Sequence, residues 1–136
     1  MACQTTLEAV IQMIRLTLGI SEAQTICPEQ LLFYDLSFTS LDMLDLLFRL
    51  EDHFKIQIPE GTFYKLAKGK MAEKEFASEG VLTNAGRERL KALLHDSPPQ
   101  IFPEHIHLKT VPRYCTVGAM ARLVDRKLKE SAECSS

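Results

Sequence analysis

The chain has 136 residues, 46% of them apolar and 25% charged, with a formal net charge of −2. This is the composition of an ordinary soluble globular protein, long enough to bury a core in one domain, with or without an appendage. It excludes a membrane-spanning chain, since no apolar run nears the roughly 20 residues that a crossing helix needs.

The charge is unevenly spread. Residues 1–60 hold 3 basic and 9 acidic side chains, residues 61–113 hold 9 and 6, and residues 114–136 hold 4 and 3. An acidic first half argues against nucleic acid as the partner and for basic protein partners steered by charge, while the basic middle suggests a separate module. Cys3, Cys27, Cys115 and Cys134 form neither a C-x-x-C nor a metal-ligand spacing, so reduced thiols in a cytoplasmic protein are expected. Met1 to Ile20 has no signal-peptide character. The terminal Glu-Cys-Ser-Ser does not set its cysteine fourth from the end, as prenylation requires.

In chain order, Thr5-Thr6-Leu7-Glu8 is a capping box, and Leu7, Val10, Ile11, Ile14 and Leu18 follow at helical spacing until Gly19 stops the helix. From Ile20 to Phe38 the periodicity fades. Ile26, Leu31, Leu32 and Leu36 then read as anchors that pin a long loop. Thr39 and Asp42 form a second capping box, so a helix starts at Ser40 and runs to Phe54. Met43, Leu46, Leu47, Leu50 and Phe54 make its core stripe. On the opposite face Leu41, Leu44 and Phe48 recur at i, i+3, i+7 beside Asp42, Asp45, Glu51 and Asp52. A second apolar stripe rimmed by acid suggests a partner surface.

Ile56-Gln57-Ile58-Pro59 is expected as a short extended turn. Thr62–Ser78 carries a weak helical pattern broken by Gly69. Thr83 caps a better helix running to His95, with Leu90, Leu93 and Leu94 as its stripe and Pro98-Pro99 ending it. Residues 96–115 are expected to be extended and irregular, with His105–Leu108 as a short edge strand. Thr116 caps a last helix with Val117, Met120, Ala121, Val124 and Leu128 on one face, and from Lys129 the tail, residues 129–136, is expected to be frayed and flexible.

The run Asp35-Leu36-Ser37-Phe38-Thr39-Ser40-Leu41-Asp42, continued by Leu-Glu-x-x-Phe-x-Ile-x-Ile-Pro from Leu50 to Pro59, resembles the acyl carrier proteins. Their pattern is Asp-Leu-Gly-x-Asp-Ser-Leu followed by an acidic helix. Thr116-Val117 is similar to the start of that family's final helix. The likeness spans residues 4–60 and 112–128, leaving 61–110 as an insert within a single carrier domain of residues 1–136. Two positions depart from the pattern: Ser37 stands where the family has glycine, and Thr39 where it has aspartate.

The resemblance implies an all-α, antiparallel helical bundle with a partly helical insert before its last helix. It implies 4′-phosphopantetheine attached covalently to Ser40, its thiol holding acyl groups as thioesters for enzymes of fatty-acid, lipid or polyketide-like synthesis. It implies two partner types, a phosphopantetheinyl transferase and acyl-processing enzymes with basic patches. The latter would dock on Leu41, Asp42, Leu44, Asp45, Phe48, Glu51 and Asp52. It also implies an acyl cavity lined by Met43, Leu46, Leu47, Leu50 and Phe54, and a monomer with no stable membrane insertion. Two readings compete: a peptidyl or aryl carrier, and an unmodified carrier-like module that only binds partners. No Ser-His-Asp order, Gly-rich phosphate loop or Cys-His pairing points to catalysis. His105 and His107 lack the further ligands that a metal would need.

Overall fold

Threonine opens each of the main helices, because its hydroxyl accepts from an N–H of the first turn that has no intrahelical partner. In the computed structural model, which describes residues 5–59 and 61–134 with side chains as far as Glu130, Thr5 caps α1 (Thr6–Leu18) and Thr39 caps α2 (Ser40–Phe54). After α3 (Thr62–Lys68) and the one-turn α4 (Glu73–Phe76), Thr83 caps α5 (Asn84–Leu93) and Thr116 caps α6 (Val117–Cys134).

The fold is an all-α helical bundle with one two-stranded hairpin, consistent with the bundle expected from the sequence. α1 packs against α2 and α6, and α3 against α5. Val10 and Ile14 of α1, Leu46 and Leu50 of α2, and Val117, Met120 and Val124 of α6 are all fully buried. The long loop is pinned where expected, by buried Ile26, Leu31, Leu32 and Leu36. It also holds the start of α6, because Leu32 donates to Cys115 O at 3.1 Å and Val117 donates to Gln30 O at 2.9 Å.

The basic middle is not a module apart. Phe76, Leu82, Leu90, Leu94, Phe102, Ile106, Val111 and Tyr114 belong to the same hydrophobic cluster as the residues of α1, α2 and α6. α6 is therefore covered on two sides, and its buried set includes Ala119 and Leu123 beyond the expected stripe. The link is a bidentate ion pair: Arg122 donates to both Asp96 oxygens at 3.0 Å, and Thr116 donates to Asp96 Oδ2 at 2.8 Å. Burial pushes the Asp96 carboxyl up, but hydrogen bonds from Arg122 and Thr116 and the Arg122 charge outweigh it, holding the group below its usual range.

Three expectations are corrected. The weak helical stretch splits into α3, α4 and a hairpin, β1 (Ala77–Ser78) with β2 (Val81–Leu82). Its two-residue turn puts Glu79 and Gly80 at φ 52° and 80°, the left-handed pair that matches strand twist. The edge strand at His105–Leu108 is reduced to a bridge between Val81 and His107. The irregular stretch contains 3₁₀ turns at Pro99–Ile101 and Leu108–Tyr114. The last helix is described as far as Cys134. Residues 135–136 and Cys3 lie outside the described residues.

Gly86 makes the closest approach. A Cβ there would stand 2.0 Å from Phe76 O, an oxygen already taken by Thr83 N at 2.9 Å. Alanine normally stabilises a helix interior over glycine by about 1 kcal/mol. Here Gly86→Ala is expected to destabilise by about 1–3 kcal/mol, as overpacking does, measured by denaturant unfolding. A second expectation concerns acid. Because the folded-state pKa of Asp96 lies below its unfolded value, its contribution is complete above about pH 3.9 and is lost as pH falls through the lowered value. Asp96→Asn should therefore be less stable near neutrality and lose less stability between neutrality and low pH, as read from melting temperature against pH.

Candidate functional site

The stretch before α2 works residue by residue to deliver one hydroxyl. Asp35 turns the loop: its Oδ2 accepts from Leu31 N at 2.7 Å, and its own N–H donates to Leu31 O at 2.9 Å. Leu36 and Phe38 are buried anchors on either side of Ser37. Ser37 itself has φ 59°, the left-handed region that glycine enters freely and other residues enter at a cost. Thr39 then closes the reciprocal cap. Its hydroxyl accepts from Asp42 N at 3.2 Å, and Asp42 Oδ2 accepts from Thr39 N at 2.9 Å. Ser40 follows as the first helical residue, exposed, at an end whose N–H groups and dipole favour an anion.

The two faces of α2 separate as expected. Met43, Leu46 and Leu50 are buried, and Leu47 and Phe54 are partly buried against the core. Leu41, Leu44 and Phe48 remain 76%, 48% and 63% exposed, too much apolar surface on one helix face to be incidental. The four acids differ in their freedom. The Asp42 carboxylate serves the cap, and Glu51 Oε2 accepts from Ile58 N at 2.7 Å. Among the described residues Asp45 and Asp52 pair only with neighbours on the surface, Arg49 at 3.3 Å and Lys55 at 3.6 Å. Solvent-exposed pairs of that kind are weak and exchange readily.

Ser40 also opens onto a cleft of about 660 Å³. Ser40, Met43, Leu44, Leu47 and Phe48 form one wall, and Ile58, Phe63 and Tyr64 the end around α3. Leu108, Lys109, Val111, Pro112 and Arg113 form the other wall. Of the expected cavity residues, Met43 and Leu47 line this space. Leu46 and Leu50 are sealed in the core, and Phe54 instead meets His53 edge-on with ring centroids 4.7 Å apart. Leu44 and Phe48, expected only as docking residues, line the cleft as well.

Sequence reasoning missed the far wall, although Leu108 and Val111 at i, i+3 between cationic residues carried a faint signal of it. A smaller cavity of about 250 Å³, against Leu93, Arg122 and Leu123, lies away from Ser40.

Of the cysteines, Cys27 is exposed and Cys115 buried, and both are free. Burial and the nearby Asp96 charge push the Cys115 thiol far up, which leaves it a packing group rather than a nucleophile. Among the described residues no cluster of three or more His, Cys, Asp or Glu side chains could hold a metal, and no helix is long and apolar enough to cross a membrane.

Residues 8–68 match a family model described as the phosphopantetheine attachment site. No match was found among curated proteins or solved structures. The matched stretch runs through α1, the loop, α2 and α3. Thr116-Val117 lies outside it. Relief of the Ser37 conformation is measurable: Ser37→Gly is expected to raise stability by up to about 1 kcal/mol in denaturant unfolding, where a glycine in ordinary backbone would lower it.

Proposed function

With residues 8–68 forming a phosphopantetheine carrier domain, we propose that Ser40 is the serine that bears the arm. The group attaches to a serine in this family, and the matched stretch contains three: Ser21, Ser37 and Ser40. Ser21 lies in the loop, its hydroxyl accepting from Ala23 N at 3.2 Å, and Ser37 occupies the left-handed turn. The observation that carries the assignment is that Ser40 alone of the three stands exposed at a capped helix start, where a phosphodiester gains both N–H donors and dipole.

Loading would transfer phosphopantetheine from coenzyme A. Ser40 Oγ attacks the phosphorus next to pantetheine, a new O–P bond forms, and the pyrophosphate P–O bond breaks. Adenosine 3′,5′-bisphosphate leaves, and the hydroxyl proton passes to a base of the transferase. The chain itself contributes position rather than catalysis. An arm on Ser40 would supply a thiol able to hold acyl groups as thioesters, and the tether would raise their local concentration at each enzyme that docks.

Docking falls to Leu41, Leu44 and Phe48 as the apolar centre, with Asp45 and Asp52 steering a basic partner. Asp42 and Glu51 act indirectly, by fixing the two ends of α2. Weak, charge-steered contact suits a carrier that must leave quickly for the next enzyme. We place it in the cytoplasm, serving acyl-chain synthesis of the fatty-acid, lipid or polyketide-like type, since the acidic helix favours acyl over aminoacyl cargo.

The test is intact mass after incubation with coenzyme A and a broad-specificity phosphopantetheinyl transferase. One phosphopantetheine should add to the natural chain and none to Ser40→Ala. An unmodified natural chain, with its circular dichroism intact and the transferase of its own source supplied, would instead point to a binding module that is never loaded.

A further inference from the structure

The cleft beside Ser40 carries charges of opposite sign on its two sides. Ser40, Met43, Leu44, Leu47, Phe48 and Glu51 line one wall, a continuous strip of α2 at i, i+3, i+4, i+7, i+8 and i+11. At about 100° per residue, Leu41, Asp52 and Asp45 follow Phe48 round the helix, away from the core. That wall therefore ends in an exposed acidic rim.

The opposite wall comes from beyond the matched part of the chain, from the 3₁₀ segment Leu108–Tyr114. Leu108 and Val111 supply its apolar part. Lys109 and Arg113 are exposed on it, and neither forms an ion pair among the described residues. The segment is firmly set: Val111 and Tyr114 are buried, Ser97 donates to Tyr114 O at 2.6 Å, and Leu108 donates to Gly80 O at 2.9 Å. The cations are thus a fixed feature of the fold.

Shape and charge together fit an amphipathic helix of a partner protein. From Ser40 to Glu51 the cleft follows α2 for about 16 Å, the length of three turns of a second helix laid alongside. Such a helix places its side chains at i, i+3, i+4 and i+7 into the space between the walls. None of the lining residues comes from β1 or β2, so an extended peptide finds no strand edge to pair with. Leu44 and Phe48, 48% and 63% exposed, supply apolar surface for it to cover. A helix basic on both flanks gains against Asp45 and Asp52 but meets like charge at Lys109 and Arg113.

Resting on the reading of α2 as the docking face, we propose that this cleft seats a partner helix with basic residues along one flank and acidic residues along the other. Asp45 and Asp52 take the basic flank, Lys109 and Arg113 take the acidic flank, and Leu44 and Phe48 hold the apolar face. The segment Leu108–Tyr114 thereby narrows the choice of partner, rejecting wholly basic helices that α2 alone would accept.

The experiment uses the full unloaded chain and two fluorescein-labelled peptides of about 15 residues, stapled so that they stay helical. Both present leucines at i, i+3, i+4 and i+7. One carries lysine on one flank and glutamate on the other, and its counterpart carries lysine on both. Anisotropy at low salt should show the two-signed peptide bound roughly tenfold tighter, the scale of two exposed charge contacts changing sign. The net charge of −2 by itself favours the all-lysine peptide. Lys109→Glu/Arg113→Glu, with circular dichroism unchanged, should reverse the order. Lys70→Glu/Lys74→Glu alters the net charge equally at exposed positions outside the cleft lining, and should not. Phe48→Ser should weaken both peptides.

An all-lysine peptide that binds the natural chain more tightly, and is still weakened by Phe48→Ser, would overturn the two-signed cleft and leave α2 as the docking face. An order reversed equally by Lys70→Glu/Lys74→Glu would reduce the preference to net charge and overturn the proposal as well. Binding of neither peptide, or binding that Phe48→Ser leaves untouched, would overturn the docking face and the proposal together. A chain that sediments as a dimer, and as a monomer once Lys109 and Arg113 are reversed, would give the cleft to a second copy instead of a partner helix.

Discussion

The reciprocal cap between Thr39 and Asp42 decides where α2 begins, and the site depends on that one choice. Had the helix started a turn earlier or later, Ser40 would sit inside it or back in the loop, and its hydroxyl would lose the helix end. The cap is supported from behind by Asp35, which folds the loop, and by Leu36 and Phe38, which bury it. At the other end Glu51 holds Ile58 N, so the chain leaves α2 in a fixed direction and α3 closes the cleft. The cost is carried at Ser37, where a side chain occupies left-handed backbone.

The additional segment changes what a small bundle can do. α1, α2 and α6 alone would leave α2 open along its length. Asp96, clamped by Arg122 and Thr116, ties the segment to α6, and the shared core draws Leu108–Tyr114 up beside α2. The same segment that enlarges the core thus builds a second wall beside Ser40. Asymmetry of charge acquires a local meaning in this arrangement, since acidic residues rim α2 and the opposing wall presents Lys109 and Arg113.

Much of the frame was legible because local rules acted alone. The four threonine caps, the loop anchors Ile26, Leu31, Leu32 and Leu36, and both stripes of α2 follow from capping chemistry and helical period. What escaped depended on tertiary packing. The turn at Glu79-Gly80 lacks the asparagine or aspartate that usually announces such a hairpin. The 3₁₀ turn at Leu108 is too short to show a period. Leu46 and Leu50 share a stripe with Met43 and Leu47, and only the position of the opposing wall separates cleft from core. The basic middle misled for the same reason: its charges are a surface property, while Phe76, Leu90 and Ile106 beneath them join the common core.

The most direct measurement is a comparison of amide chemical shifts between the unloaded chain and the chain carrying unsubstituted phosphopantetheine. If Ser40 bears the arm, the largest shift changes should centre on Thr39, Ser40 and Leu41 at the start of α2. Changes centred instead on Ser21 or Ser37, with the start of α2 unmoved, would contradict the account.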